Sequence, residues 1–192
     1  MADGDSITVG YGLSSPSTQG YPPQALSTMN PENLLTNVAV LGVNSQQVIN
    51  HLASAVTPVL SAYNAPVKIY SLMIGTNDFG SGFTATQTYA NIQSICSTVT
   101  GTNGVKMILL TLLPATGNAS FETYRQAVNT LERAGGSCTY TLADVGNDAT
   151  IGQPGDQTNA TYFQSDEIHP TAAGDVIVAS YMKTALLSLG AH

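Results

Sequence analysis

Nearly continuous apolar runs alternate along the chain with segments whose apolar residues recur every three or four positions. Because a strand covered on both faces has no polar side, the continuous runs predict buried strands at residues 35–41, 67–74, 105–113 and 140–145. The helical spacing predicts helices at residues 22–29, 45–60, 86–99 and 121–134, and from 171 to about 189. Ser45 is the expected N-cap of the second helix, and Pro58 is expected to kink or shorten that helix.

The alternation of strands with helices is typical of parallel βαβ units. It predicts a parallel sheet with helices on both faces, in which ligands bind beyond the carboxyl ends of the strands. Gly42 follows the first of these strands, Asn77 follows the second, and Asp166 and His169 lie in the loop after the last. We therefore expect these four residues to lie along one edge of the sheet.

Composition restricts the class of protein and its partners. The 192 residues suit a single domain over residues 1–192, and 43% hydrophobic against 9% charged residues argues against disorder. A net charge of −7 with five Lys and Arg residues argues against nucleic acid or an anionic membrane as a partner. No apolar run approaches the roughly 20 residues of a membrane span. The oligomeric state does not follow from these quantities.

Cys96 and Cys138 permit one disulfide, with two buried free thiols as the alternative, and they do not suggest a metal site. Both are expected at the end of the domain opposite the ligand edge, because one lies late in a predicted helix and the other just before the fourth strand. Few lysines and many Ser, Thr, Asn and Gly residues favour a secreted, extracellular protein. Met1 leads almost directly into the first motif without a signal peptide, so we expect a shortened chain or a domain cut from a longer precursor.

Four short motifs contain residue types that are used in nucleophilic catalysis. The first, Gly4-Asp5-Ser6-Ile7-Thr8, places a serine where a flanking glycine permits a sharp turn and a close approach. A serine hydroxyl needs a histidine base and a group that orients that base. The last motif, Asp166-Glu167-Ile168-His169-Pro170, contains a histidine with a carboxylate three residues before it. Gly42 and the run Gly75-Thr76-Asn77-Asp78 lie between these two motifs.

In their order and spacing, the four motifs resemble those of the SGNH hydrolases, also called the GDSL esterase/lipase family. The resemblance covers nearly the whole chain, from Gly4 to His169. It implies a three-layer α/β/α, flavodoxin-like fold with a central parallel sheet of about five strands. In this chain the first strand, before the serine motif, is expected to be absent or cut to residues 1–3. The residues that follow Gly42 match the second motif of the family only loosely.

The resemblance also implies a role for each site residue and no cofactor or metal. Ser6 is the expected nucleophile, His169 the general base and acid, and Asp166 the group that holds the imidazole tautomer. The oxyanion of the tetrahedral intermediate is expected to bind the backbone N–H groups of Ser6 and Gly42 and the side-chain amide of Asn77.

Three of these residues also have a plainer structural interpretation. Ser6 and Asn77 suit turns, and Asp166 suits the N-cap of the last helix. Among the other two histidines, His51 is more typical of surface or packing positions and His192 of a frayed terminus. The two acids adjacent to the motif residues, Asp5 and Asp78, are interpreted as hydrogen-bond acceptors that brace loops.

The main functional hypothesis is a serine esterase that hydrolyses carboxylic esters with short acyl groups, because the short chain leaves no room for a lid domain. A small-molecule or glycan ester is the expected substrate, and acetyl esters on carbohydrate fit the resemblance. A lysophospholipase or a thioesterase is the near alternative. Four aromatic residues are candidates for stacking on a sugar or aryl alcohol, with ordinary packing as the alternative: Tyr11, Tyr21, Tyr162 and Phe163.

Two hypotheses belong to other functional classes. The run Asp3-Gly4-Asp5 is similar to the aspartate pair of metal-dependent haloacid-dehalogenase-like phosphatases, but Ile7 stands where that motif has Thr or Val. A non-enzymatic glycan-binding module is the third hypothesis.

Overall fold

The computed structural model describes residues 1–102 and 104–192 of the chain. Four strands form one parallel sheet in the order β1-β2-β3-β4. They are β1 (Ala2–Gly4), β2 (Lys68–Met73), β3 (Val105–Leu110) and β4 (Thr141–Ala143). The register pairs Ala2 with Ser71, Lys68 with Val105, and Ile108 with Thr141.

Helices connect these strands, as the apolar periodicity predicts. The α-helices are α1 (Ser6–Val9), α2 (Pro16–Gln19), α3 (Tyr21–Leu26), α4 (Ser45–His51), α5 (Thr57–Ala62), α6 (Thr76–Gly80), α7 (Ala85–Thr100), α8 (Ala119–Ala134) and α9 (Ala172–Ser188). A π-helical segment (Leu52–Val56) lies between α4 and α5, and two 3-10 turns (Val145–Asn147 and Asp156–Thr158) follow β4.

Alternate residues of the central strands face two separate hydrophobic cores. Tyr70, Leu72 and Met107 pack with apolar residues of α4 and α7 on one face of the sheet. Met73 and Ile108 pack with residues of α3 and α9 on the other face. Since successive side chains of a strand point to opposite faces, helices cover the sheet on both sides. The predicted α/β class with a parallel sheet between helical layers is confirmed.

The strand predicted at residues 35–41 is wrong as a regular strand, although the segment does lie beside β1. Ala2 N–H donates to Thr36 O at 2.8 Å, Val38 N–H to Ala2 O at 2.9 Å, and Val40 N–H to Gly4 O at 3.1 Å. The Gly4 N–H, which would continue this ladder, donates to Asp3 Oδ1 at 2.8 Å instead. The ladder is thereby interrupted, and only an isolated parallel bridge at Asn37 remains. Among residues 1–102 and 104–192, the sheet accordingly has four regular strands rather than about five.

The helix predicted at residues 45–60 is divided into three parts. Pro58 lies in the first turn of α5, where its missing N–H costs no hydrogen bond, and the π-helical segment precedes that turn. The N-cap is Asn44 rather than the predicted Ser45, and it forms a capping box with Gln47. Ser45 is instead buried and bonded to Asp78.

Cys96 near the end of α7 and Cys138 just before β4 form a disulfide. This outcome settles the choice between a bond and two free thiols in favour of the bond. In the part of the chain that the structure describes, no helix is long and apolar enough to cross a membrane.

Candidate active site

Ser6 is placed at the carboxyl end of β1 by a tight strand-to-helix turn. Asp5 is the N-cap of α1, and its Oδ1 accepts the Ile7 N–H at 3.0 Å. Gly4 has φ +147°, and a Cβ at this position would lie 2.3 Å from the Met73 carbonyl oxygen of β2. Only glycine therefore fits two residues before the serine, and the nucleophile candidate starts the short helix α1.

The loop before α9 brings the histidine and the acid of the last motif to this serine. His169 Nε2 lies 2.8 Å from Ser6 Oγ, and His169 Nδ1 lies 2.7 Å from Asp166 Oδ2. With the Nδ1 proton on the side of the carboxylate, Nε2 is free to accept the serine proton. The three residues predicted as a catalytic group thus form one continuous hydrogen-bonded chain.

Asp166 is held by its own loop rather than by the following helix. Its Oδ1 accepts the backbone N–H groups of Ile168 at 3.0 Å and His169 at 3.1 Å. Glu167 has φ +56°, a left-handed conformation that turns the chain so that these bonds can form. Thr171 is the N-cap of α9, so the interpretation of Asp166 as that cap is wrong.

The electrostatic environment keeps Asp166 ionised. Desolvation raises the pKa of Asp166, but the hydrogen bonds from the His169 ring and from the two backbone N–H groups outweigh it and hold the pKa below its usual range. The side chain of Asp166 is 38% exposed, whereas that of His169 is 12% exposed. An ionised carboxylate in this position stabilises the imidazolium that forms when His169 takes a proton.

The predicted oxyanion donors lie around the same strand ends. The Asn77 side-chain amide, in the first turn of α6, donates to Val43 O at 2.9 Å and lies 3.4 Å from Asp5 Oδ2. It therefore bridges the residue after Gly42 and the residue before Ser6. Gly42 is exposed with φ +71°, and no backbone acceptor among the described residues takes its N–H or that of Ser6.

Asp78 braces the two loops that carry Gly42 and Asn77. It is fully buried, and its carboxylate accepts the Ser45 N–H at 2.9 Å, the Ser45 hydroxyl and the Thr88 hydroxyl at 3.1 Å. Asp5 is similarly buried, and burial raises its pKa to about 7, with the nearby Asp78 charge adding to the rise. Both acids bond to neighbouring backbone or side-chain donors, as the sequence interpretation expects.

The other two histidines lie outside this group. His51 Nε2 lies 2.9 Å from Oδ2 of the buried Asp3, which also accepts the Tyr70 hydroxyl at 2.7 Å. The contact between His51 and Asp3 links α4 to β1. This is a more specific role than the packing expected for His51. The His192 carbonyl accepts the Asn30 N–H at 2.9 Å, so this terminus is held and the expectation of a frayed residue is wrong.

Gln164 is a site residue that the sequence motifs do not indicate. Its side-chain amide donates to Tyr11 O at 2.7 Å and to Pro170 O at 2.9 Å, and its backbone N–H donates to His169 O at 2.8 Å. It joins the loop after α1 to the segment that carries the histidine. No local signal could have shown this, since a glutamine in a polar loop has no characteristic spacing.

Comparison with known proteins places the chain in a family. Residues 2–177 match the model of the GDSL-like Lipase/Acylhydrolase family. No curated protein sequence matches the chain.

Solved structures share the fold at low sequence identity. A lipolytic G-D-S-L family protein from Veillonella parvula is 20% identical with a TM-score of 0.76, covering 98% of this chain and 96% of its own. The protein named TesA is 21% identical with a TM-score of 0.74, covering 98% and 97%. An acetylxylan esterase from Geobacillus stearothermophilus is 18% identical with a TM-score of 0.64, covering 100% and 93%.

Proposed function

The chain belongs to the GDSL-like lipase/acylhydrolase family and is a serine ester hydrolase. We propose that it removes short acyl groups, including acetyl groups on carbohydrate, through an acyl-enzyme. The observation that carries the proposal is the hydrogen-bonded chain from Ser6 Oγ through the His169 ring to Asp166. It has the order of nucleophile, base and orienting acid that ester hydrolysis requires.

In the first half-reaction, Ser6 Oγ attacks the ester carbonyl carbon while His169 Nε2 takes the hydroxyl proton. The N–H groups of Ser6 and Gly42 stabilise the oxyanion that forms, together with the Asn77 amide, which gives up its long 3.4 Å contact with Asp5 Oδ2 for it. When the tetrahedral intermediate collapses, the carbon–oxygen bond to the alcohol breaks and His169 returns the proton to the leaving oxygen. A water molecule then attacks the acyl-Ser6 ester with the same base and donors, which releases the carboxylic acid.

The exposure of the residues before Gly42 supports the short acyl group. Val40 and Leu41, which precede Gly42, are 45% and 53% exposed, so apolar surface next to this candidate donor is open to solvent. Three surface cavities of about 400, 600 and 640 Å³ are lined by residues other than Ser6, Asn77 and His169. A long acyl chain would gain most of its affinity from burial, at about 0.8 kcal/mol per CH₂, and these cavities do not extend from the nucleophile.

The likeness to an acetylxylan esterase supports an acetylated carbohydrate as substrate. The same catalytic group would also serve a lysophospholipase or a thioesterase, which is the alternative within the family. A metal-dependent phosphohydrolase is disfavoured, because Asp3 and Asp5 are each occupied by local hydrogen-bond donors. Within residues 1–102 and 104–192, no three His, Cys, Asp or Glu side chains lie close enough together to hold a metal ion.

Secretion is part of the proposal. A disulfide persists in oxidising compartments, and the Cys96–Cys138 bond supports an extracellular location.

The test compares p-nitrophenyl esters of increasing acyl length with acetylated xylan, using the wild type and Ser6→Ala. We expect kcat/KM to be highest for acetyl and to fall as the chain lengthens. We also expect Ser6→Ala to lose both hydrolysis and covalent labelling by a fluorophosphonate, since both reactions need the hydroxyl. A maximum at eight or more carbons would favour the lysophospholipase or thioesterase alternative, and substantial turnover by Ser6→Ala would contradict the mechanism.

A further inference from the structure

Tyr11 differs from the other aromatic residues considered as stacking platforms. Tyr21 and Phe163 are buried, at 0% and 1% exposure, and Tyr162 is half-buried against the core of α3 and α9. Tyr11 is 50% exposed, and its ring lies against the His169 ring with centroids 4.7 Å apart and planes tilted by 48°. It therefore offers aromatic surface to solvent directly beside the general base.

The backbone of Tyr11 is fixed to both halves of the catalytic group. Its N–H donates to Ser6 O at 3.0 Å, and its carbonyl accepts the Gln164 amide at 2.7 Å. The same amide binds Pro170 O, next to His169. Gly12 has φ +77°, and a Cβ at this position would lie 2.0 Å from Gln164 Oε1, so glycine permits this close approach. The backbone of Tyr11 is thus fixed beside the catalytic group, while its ring contacts His169 and stays half exposed.

The position of Tyr11 indicates contact with the alcohol part of the ester rather than with the acyl part. His169 protonates the leaving oxygen, so that oxygen must lie within about 2.6–3.2 Å of Nε2. The carbonyl oxygen points instead towards Gly42 and Asn77. A ring that lies against His169 therefore borders the alcohol.

The chemistry of this surface favours a neutral cyclic alcohol. An aromatic face packs well against the C–H face of a sugar ring or against another aromatic ring. Asp166 and Glu167 lie in the loop of the base, and the protein carries a net charge of −7, which disfavours an anionic alcohol such as a phosphate-bearing headgroup.

Resting on the esterase function proposed above, we propose that Tyr11 is a specificity-determining residue whose exposed ring stacks on the cyclic alcohol part of the substrate. The preference for sugar or aryl acetates over acyclic alkyl acetates then comes from this one side chain.

The experiment measures kcat and KM of the wild type, Tyr11→Ala and Tyr11→Phe on xylose tetra-acetate, phenyl acetate and ethyl acetate. Tyr11→Ala should lower kcat/KM for the two cyclic esters by about threefold to tenfold, the range of a single aromatic contact. It should leave kcat/KM for ethyl acetate within about twofold, and Tyr11→Phe should keep the wild-type preference because it keeps the ring. Leu34→Ala, which truncates an apolar residue that is 78% exposed and lines a cavity away from Ser6, is the matched control and should change none of the values.

Three outcomes would overturn the inference. An equal loss on all three esters would show that Tyr11 only supports His169, and no loss on any ester would show that the ring is not contacted. Loss of the preference in Tyr11→Phe would assign the effect to the hydroxyl instead of the ring face. Failure of the proposed function itself gives a different result. The wild type would then hydrolyse none of the acetates, although a fluorophosphonate would still label Ser6. This result would indicate a different acyl specificity, and the inference would fall with the proposed function.

Discussion

At the scale of single residues, hydrogen bonds from neighbouring backbone and side-chain groups hold the candidate site residues in place. One carboxylate oxygen of Asp166 accepts two backbone N–H groups, and the other is hydrogen-bonded to His169 Nδ1. The imidazole therefore has one stable orientation. The Asn77 amide donates to Val43 O and lies 3.4 Å from Asp5 Oδ2, so it lies between the two loops that carry the proposed oxyanion donors. A change at such residues should affect the transition state more than the binding of substrate.

Asn77→Ala tests the assignment of the oxyanion hole. We expect kcat to fall by about 10²- to 10³-fold with little change in KM, which is the cost of removing one such donor. The measurement is steady-state hydrolysis of p-nitrophenyl acetate beside a thermal melt, because the substitution also removes the bond to Val43. An unchanged kcat with a raised KM would make Asn77 a contact of the ground state instead.

Glu132 on α8 shows how a buried acid sets the response of stability to pH. It is 1% exposed, and neither carboxylate oxygen has a hydrogen-bond partner among the described residues. Burial holds its pKa well above the ordinary value, and the charge of Asp144 adds to the rise although Arg133 opposes it. Above pH ~4.3 the unfolded chain releases this proton while the native protein keeps it, so stability falls as pH rises.

The free energy of unfolding of Glu132→Gln relative to wild type should therefore be higher at pH 8 than at pH 4. The difference from wild type should grow by up to about 1.4 kcal/mol per pH unit between these limits. Urea unfolding at several pH values measures it.

Glu122→Gln on the same helix is the matched control for Glu132→Gln. Desolvation raises the pKa of Glu122, but hydrogen bonds from Arg125 and Gln126 outweigh it and lower the pKa. An ionised Glu122 thus stabilises the native state above the unfolded pKa, and this contribution is lost as pH falls. Glu122→Gln should accordingly destabilise the protein more at pH 8 than at pH 4, and the same pH trend in both variants would contradict the argument.

At the scale of elements, the short strand β1 is secured by contacts on both edges. On one edge β1 pairs with β2, and on the other it bonds to the irregular segment 36–40. Asp3 adds bonds to His51 of α4 and Tyr70 of β2. Three residues of strand are thereby enough to anchor Ser6, because β2 on one edge and the segment 36–40 on the other satisfy most of their backbone groups.

The disulfide joins two elements at the opposite end of the sheet from Ser6. It connects the end of α7 to the entry of β4 and closes a loop of 43 positions (138 − 96 + 1). In the chain-entropy model such a loop contributes about 4 kcal/mol. The double variant Cys96→Ala and Cys138→Ala should lose about this much stability in urea unfolding, yet keep the kcat of the folded protein. A loss of kcat without a loss of stability would contradict the separation of the two regions.

At the scale of the whole molecule, the acidic surface should select against anionic esters. The protein carries a net charge of −7, and Asp166 is a partly exposed acid within the site itself. Repulsion of an anionic acyl group weakens in salt, because the Debye length falls from about 30 Å at 10 mM to about 3 Å at 1 M.

We expect kcat/KM for p-nitrophenyl hemisuccinate to rise by about twofold or more between 10 mM and 1 M salt. Neutral p-nitrophenyl acetate serves as the control and should show little change. A parallel rise for both esters would point to an effect of salt on the protein instead of on substrate approach.

The sequence by itself determined the α/β class, most of the helices and the candidate catalytic group. The apolar runs at 67–74 and 105–113 contain β2 and β3, and the segments with helical spacing at 86–99 and 121–134 form most of α7 and α8. These predictions succeeded because the pattern of apolar residues reflects which sides of an element are buried. The motif residues could be named because their order and spacing along the chain resemble those of the SGNH hydrolases.

Only the tertiary structure decided which distant groups became partners. An apolar run at 35–41 predicts a strand, but the side chain of Asp3 takes the Gly4 N–H that would have continued the ladder. His51 is bonded to Asp3 across 48 positions and Gln164 to Tyr11 across 153, and no local pattern carries such pairings. The four aromatic residues considered as stacking platforms have similar side chains, so the sequence does not distinguish them. Only the packing of the folded chain leaves Tyr11 exposed beside His169.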